Sequence, residues 1–419
     1  MKHATVDVRE GDSRELIKGL ADNSVDAVVT DPPYALESIV KRFGGANAAP
    51  AVAGVYGRSS RGFMGQAWDT SEVAHDPGFW SEVYRVVKPG GWVLAFSATR
   101  TAHRMGTAVD LAGFDVRDQL QWLYGSGFPK NHDTAYAIET TLCDLVEVGS
   151  KRKWLYKADG LPIHEAPPYR HPEANAWLGW GTALKPACEP IVLARKPLEG
   201  TVAANVLAHG CGALNVDACR VPLDMAADAR DLRTVERSAR AVADNGHQWG
   251  MNAAEGGLAE VLNEAGRWPA NVLHDGSAEI ASALGDVSRY FPAFPWTEED
   301  DALVGGRRFL YAPKAGEEDR MGSAHPTVKP IGLMAWLVRL VARPGAVVLD
   351  PFAGSGTTGQ AALRENVNAI LFEREAAFAE DCRRRVRYAT GEITLEAALL
   401  ARVSEEDKRG DDLPLFSGL

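Results

Sequence analysis

Residues 346–359 constrain this chain more tightly than any other stretch. Ala346-Val347-Val348-Leu349 is a short apolar run, followed at once by Asp350-Pro351-Phe352-Ala353-Gly354-Ser355-Gly356-Thr357-Thr358-Gly359. A run of that length ending in a Gly-rich turn, with helix-compatible sequence beyond, reads as the strand–turn–helix unit of a parallel sheet. Gly354 and Gly356 allow positive φ and let the backbone approach a ligand closely. In open α/β sheets, ligands sit at the carboxyl ends of strands beside such turns. Glu373 follows the next strand, Ala369-Ile370-Leu371-Phe372, seventeen residues beyond Gly356. There an acid can accept both hydroxyls of a bound ribose. The spacing matches neither the GxGxxG of dinucleotide sites nor the P-loop, which disfavours NAD and ATP.

The N-terminal part repeats the pattern. Thr5 to Val8 alternates as a strand, Gly11-Asp12-Ser13 supplies a turn and a helix cap, and Leu16, Ile17 and Leu20 share one helical face. Val25 to Thr30 reads as a buried strand that ends at Asp31-Pro32-Pro33-Tyr34. Trp80, Val83, Tyr84 and Val87 mark a helix stopped by Pro89-Gly90-Gly91, before a core strand over 92–96. A helix with Ala102, Met105, Ala108 and Val109 and a strand over 116–123 come next, and 189–193 reads as one more strand. This alternation predicts a mostly parallel sheet covered on both faces.

Domain boundaries follow from where the alternation fails. Residues 1–200 and 305–398 form two parts of one α/β domain, and 201–304, irregular and rich in Gly, Asn, Asp and Trp, reads as a separate module. Within the first part, 36–75 is a long Gly/Ala/Ser-rich segment, the kind of loop that is functional or disordered. Residues 399–419 form an acidic, mobile tail. No apolar run is long enough for a membrane span, and the N-terminus enters strand-like sequence without a signal segment. Five dispersed cysteines without CxxC pairs read as reduced thiols, and the ten histidines have no metal-ligand spacing, so no metal is expected. The net charge of −11 argues weakly against nucleic-acid binding, but basic residues can still gather on one face.

Asp31-Pro32-Pro33-Tyr34 has a chemistry of its own. An aromatic exocyclic amine is a poor nucleophile, because its lone pair is delocalised into the ring. Asp31 can accept one N–H and the Pro32 carbonyl the other, which favours a tetrahedral nitrogen with an available lone pair. The two prolines stiffen the turn, and Tyr34 offers a flat face for a base flipped out of a duplex. Read alone, the same four residues also describe a Pro-Pro turn with a solvent-facing Asp.

Taken together, DPPY and FAGSGTT resemble the motifs of the amino-methylating DNA methyltransferases. Their order, DPPY first, resembles the beta class, whose circularly permuted, Rossmann-like sheet carries a target-recognition module between its halves. Gly11-Asp12-Ser13, residues 85–91, Gly127-Phe128-Pro129-Lys130 and residues 325–330 are similar to segments of prophage-type members. The resemblance implies S-adenosyl-L-methionine as methyl donor, double-stranded DNA as substrate, a homodimer, and a place in the bacterial or phage-infected cytoplasm, on the nucleoid. It implies that Phe352, Ala353, Gly354, Ser355, Gly356 and Thr357 line the cofactor site, with Asp31 at its edge and Glu373 on the ribose. Asp12 then meets the cofactor's adenine, and Thr327 and Lys329 lie near its carboxylate. Asp350 is either a contact or a support of the turn. An Asp in the first motif position favours N6 of adenine over N4 of cytosine. RNA methylation and a catalytically silent DNA-binding role remain alternatives. Methylation at cytosine C5 needs a thiolate, typically in a Pro-Cys turn, and no Cys follows a Pro here.

Arg230, Arg233, Arg237 and Arg240 recur at helical spacing, either as a DNA-contacting face or, with Asp228, Asp231 and Glu236 interleaved, as a solvated one. The tail carries Asp411-Asp412-Leu413-Pro414-Leu415-Phe416, which resembles peptides that dock on the bacterial sliding clamp, though short apolar tails are common. The 36–75 segment, with Arg58 and Arg61, follows Tyr34 and is expected to order over a flipped base. Cognate DNA should therefore protect it from protease; equal cleavage with and without DNA would sink that expectation.

Overall fold

The two ends of the chain interleave in one sheet. The computed structural model describes residues 4–34, 72–125, 127, 131–148, 151–155, 167–223, 262–263, 266–294, 328–394 and 397–398. The strands are β1 (Val6–Glu10), β2 (Val25–Thr30), β3 (Val87–Phe96), β4 (Asp115–Leu123), β5 (Asp144–Val148), β6 (Lys151–Leu155), β7 (Cys188–Arg195), β8 (Leu262–Asn263), β9 (Gly266–Arg267), β10 (Val272–His274), β11 (Val347–Asp350) and β12 (Asn368–Glu373). Eight of them form the sheet, in the order β1-β12-β11-β2-β3-β7-β4-β10. From β1 to β3 all pairings are parallel. β7 runs antiparallel between β3 and β4, and β10 pairs parallel with β4.

β2 is buried at every residue, its Val and Ala as expected of a strand covered on both faces, and with them Asp26 and Thr30. Period-two alternation sorts the sheet into two cores. Ala27, Val29, Trp92, Leu94, Phe96 and Val348 pack with the helices Ile331–Val341 and Thr357–Arg364. Val28, Val93, Ala95 and Leu349 pack with the helices Pro77–Val86 and Ala102–Leu111. The mostly parallel α/β sheet built from both ends of the chain is as expected.

Three details differ from the sequence reading. First, the helix stops at Val86, and β3 begins at Val87 and runs through Pro89-Gly90-Gly91. Val25 pairs with Val87 and Ala27 with Trp92, so the extra residues of β3 are taken up in an irregularity. A Cβ on Gly91 would stand 2.8 Å from the Asp26 carbonyl oxygen, so only glycine fits. Second, β7 is antiparallel, which an apolar strand pattern does not reveal. Third, the described parts of 201–304 belong to the same compact unit as the sheet. Asn205, in the helix Val202–His209, donates to the Pro89 carbonyl at 2.9 Å, Trp336 Nε1 donates to the Cys219 carbonyl, and β10 extends the sheet. Glycines and isolated polar residues made this stretch look irregular, while its partners lie far away in sequence.

The unit that does separate comprises the described residues between 127 and 187. Its described part holds the helix Thr134–Leu142, capped by Asp133, the hairpin β5–β6, and a small core of Ala135, Tyr169 and Ala174. None of the five cysteines is in a disulfide. Among the described residues, no helix is long and apolar enough to cross a membrane.

Gly91→Ala should lower stability by about 1–3 kcal/mol, the usual cost of overpacking a filled site. Urea unfolding measures this, and an unchanged midpoint would contradict the close approach.

Candidate active site

Parallel strands end on one edge of the sheet, and four of them bring residues of interest there. β2 leads into Asp31-Pro32-Pro33-Tyr34, β11 ends in Asp350, β12 ends in Glu373, and β1 is followed by Gly11 and Asp12. Thr30 Oγ1 donates to Asp350 Oδ1 at 2.6 Å, joining the two motif strands across 320 positions. Asp350 also accepts from Thr358 Oγ1 at 2.5 Å and from the Phe352 N–H at 3.1 Å. It is 2% exposed, and burial pushes its carboxyl up to about 6. Of the two roles open to Asp350, this geometry is that of a support of the turn.

The turn is gripped from its other side by the helix Ala376–Ala389. A Cβ on Gly356, where φ is +80°, would lie 2.9 Å from the Cys382 Cα. Cys382 Sγ donates to the Gly354 carbonyl at 3.3 Å, and Arg385 Nε to the Ser355 carbonyl at 2.8 Å. Ala353, Ser355 and Thr357 are buried within this grip, and Phe352 rests on Phe79 with ring centroids 5.3 Å apart. Glu373 Oε2 accepts the Gly354 N–H and Oε1 the Glu375 N–H, both at 2.8 Å. Burial pushes the Glu373 carboxyl up to about 7. The Gly11 N–H donates to the Glu373 carbonyl at 2.9 Å, which sets Asp12 beside that strand end. Asp12 caps the helix Ser13–Leu16 and pairs with Arg14 at 2.6 Å, and the Arg14 guanidinium holds its carboxyl below the usual range.

Pro32 and Pro33 are buried and Asp31 is mostly so. Tyr34 Oη donates to Asp31 Oδ1 at 2.8 Å. Lys329, just before the helix Ile331–Val341, is 4% exposed, and its ammonium donates to Asp31 Oδ2. The resemblance set Lys329 near the cofactor's carboxylate; here its partner is the motif aspartate. Tyr34 packs against the core of Leu94 and Val348, Phe352 against that of Phe79 and Leu349, so the two rings belong to opposite faces of the sheet.

The structure thus brings Asp12, Asp31, Tyr34, Lys329, Glu373 and the 350–357 turn to one edge. Thr327, Arg58, Arg61, Arg230, Arg233, Arg237 and Arg240, like the tail, lie outside the described residues. Sequence reasoning missed Thr30, Cys382 and Arg385, which act on the turn from other elements. It also missed Glu189, whose carboxylate is 3.7 Å from the Lys329 ammonium. Only its place at the start of a strand hinted at a site role. In the separate unit, Glu139, Cys143 and His171 bring ligand-type atoms within 4.8 Å of one another. Glu139 accepts there from the N–H groups of Arg170 and His171 and contacts His171 Nδ1 at 2.9 Å, which gives the cluster a hydrogen-bonding account.

A doubly covered α/β sheet with a clamped Gly-rich turn, a ribose-type acid and a DPPY edge defines a methyltransferase of exocyclic amines. The family model described as "DNA methylase", N6_N4_Mtase, matches residues 25–384, and the chain belongs to that family. It is 23% identical over 386 residues to the Type II methyltransferase M.HindIII of Haemophilus influenzae, covering 88% of this chain and 90% of that protein. It is 37% identical over 78 residues to M2.MboI of Moraxella bovis, covering 19% of this chain and 29% of that protein. Among solved structures, it is similar to TTHA0409 of Thermus thermophilus complexed with S-adenosyl-L-methionine. That match has a TM-score of 0.39 at 17% identity, over 92% of this chain and 94% of that one. The cytosine-N4-specific PvuII DNA methyltransferase matches with a TM-score of 0.40 at 14% identity, over 98% and 96%.

This chain is therefore a DNA methyltransferase, and the sequence resemblance implies S-adenosyl-L-methionine as its methyl donor. The residues present fit that group. Each Glu373 oxygen takes one backbone N–H and keeps acceptor capacity for a ribose hydroxyl, and the glycine turn lets backbone approach.

Glu373 gives this site a pH signature. Its native carboxyl is raised, so between about 4.5 and 7 the folded protein holds a proton that the unfolded chain has released. Its contribution to stability is full below that window and is lost as pH rises through 7. Ribose hydroxyls donate to the ionised form, so cofactor affinity should rise with pH through 7 and then level off. Glu373→Gln should bind at least roughly tenfold more weakly, with a flat profile. Calorimetry from pH 6 to 8.5 measures both, and an unchanged profile in the variant would remove Glu373 from the ribose.

Proposed function

We propose that this enzyme methylates N6 of adenine in duplex DNA, with the target base flipped out of the helix. The observation that carries this reading is Asp31-Pro32-Pro33-Tyr34 at the carboxyl edge, tied through Thr30 to the turn that ends in Glu373's reach. When bound, the cofactor supplies an electrophilic methyl on a sulfonium. Asp31 and the Pro32 carbonyl accept the two amine hydrogens, and the nitrogen lone pair is then directed at that methyl. These acceptors matter most as the nitrogen becomes cationic, which is the condition for lowering the barrier. Tyr34 holds Asp31 by its hydroxyl and offers its ring to the base. Proton loss follows transfer, to water or to Asp31.

Aspartate at the first motif position supports adenine; cytosine N4 is the second reading, since the same acceptors suit either amine. Arg230, Arg233, Arg237 and Arg240 are assigned to DNA contacts on their helical spacing, and Arg58 and Arg61 on their place in the segment that follows Tyr34. Target recognition is assigned to the 201–304 stretch, and a homodimer and clamp docking through the tail complete the reading.

The test uses purified enzyme, the cofactor and unmethylated bacterial DNA, with digestion to nucleosides and mass analysis. N6-methyldeoxyadenosine should form, and Asp31→Ala should lower it by about 10³-fold or more. N4-methyldeoxycytidine would keep the family and change the base. No methylated nucleoside, despite cofactor binding, would leave RNA methylation or a silent DNA-binding role.

A further inference from the structure

Lys329 is a buried cation standing between two carboxylates. Its ammonium donates to Asp31, and Glu189 Oε2 lies 3.7 Å from it, with that side chain only 9% exposed. Phe96 faces the ammonium at 4.7 Å from the ring centroid and Tyr34 at 5.9 Å. An ammonium so enclosed needs an anion beside it at every stage of a reaction.

Glu189 reaches the edge because β7 is antiparallel. A parallel strand brings its last residues to the ligand edge, whereas β7 brings its first. Ile191 pairs with Phe96, and the Ser97 N–H donates to the Pro190 carbonyl at 2.8 Å, which fixes Glu189 beside the end of β3.

Asp31 carries a conflict. Oδ1 accepts from Tyr34 and Oδ2 from Lys329, yet an incoming amine also needs an acceptor. An Asp31 neutralised by Lys329 also gives little stabilisation to a nitrogen turning cationic. Tyr34 shares the motif turn with Asp31, while Lys329 arrives from a separate segment on a long, flexible stem with a second anion in reach.

We infer that Glu189 is a positioning residue: it takes over the Lys329 ammonium when the target amine engages Asp31, leaving Oδ2 to the amine hydrogen. The inference rests on the assignment of Asp31 as amine acceptor. No covalent bond changes, and the ammonium keeps its three hydrogens. Closing 3.7 Å to a charge-assisted hydrogen bond of about 2.8 Å needs a shift of roughly 1 Å. The negative charge of Asp31 is thereby unmasked as the nitrogen becomes positive, and the buried ammonium is never left alone.

The test compares wild type, Glu189→Gln, Glu189→Asp, Lys329→Met and the Glu189→Gln/Lys329→Met pair. It reads single-turnover methyl transfer to unmethylated bacterial DNA, with cofactor affinity by calorimetry and thermal melting alongside. Glu189→Gln should slow transfer by on the order of 10- to 100-fold, the worth of a hydrogen bond to a charged group. Cofactor affinity and melting should stay at wild type, and Glu189→Asp should recover most of the rate. In the Lys329→Met background the Gln substitution should add less than about twofold, because the two residues act as one device. Wild-type transfer by Glu189→Gln, an equal loss in Glu189→Asp, or a loss of cofactor affinity would each overturn the inference. So would a full additional loss in the Lys329→Met background; if that background is silent, the contrast of Gln with Asp decides. Asp31→Ala separates the two levels: activity there refutes the acceptor reading itself, while silence there with a normal Glu189→Gln refutes only the relay.

Discussion

The hydrogen bond from Thr30 to Asp350 is the joint on which the rest of this site depends. It crosses between β2 and β11, which pair in parallel at the centre of the sheet, and it joins the last residue of one strand to the last of the other. The same carboxylate receives Thr358 and the Phe352 N–H, so a single buried group fixes the approach to both motif segments. Burying a carboxylate is costly unless its oxygens are satisfied, and three donors meet that need here. Positions 320 residues apart are thereby held to within a hydrogen bond, on the scale at which methyl transfer requires alignment.

Around that joint the site is layered by charge. Glu373 and Asp350 are acids raised by burial, one facing the ligand turn and one supporting it. On the DPPY side, Asp31, Lys329 and Glu189 form a set of alternating charge against Phe96 and Tyr34. The two groups of acids have different work. Those at the turn hold backbone N–H groups, and Glu373 keeps acceptor capacity for the ribose hydroxyls it is assigned. On the proposed reading, those at the DPPY edge would face a nitrogen that turns cationic, where negative charge is needed and the buried Lys329 has a second anion within reach.

The fold places this arrangement with few parts. Parallel strands deliver their ends to one edge, and a single antiparallel strand adds a residue from its own beginning. The helix Ala376–Ala389, which follows β12, returns over the Gly-rich turn, so Cys382 and Arg385 clamp it from outside. Gly91, deep in the β2–β3 irregularity, and Gly356, at the turn, are both dictated by neighbours too near for a side chain.

Much of this was legible in the chain alone. Apolar runs told of strands covered on both faces, and the Gly-rich turn together with DPPY told of the DNA methylase family. Those signals are local: each needs only neighbours within a few positions, so residue order suffices. The direction of β7, the start of β3 at Val87, the attachment of 202–223 to the sheet, and the meeting of Glu189 with Lys329 were decided by tertiary structure. Each depends on contacts between segments far apart in the chain. An apolar strand carries no mark of its direction, and a lone Glu at the start of a strand carries none of the lysine it will face.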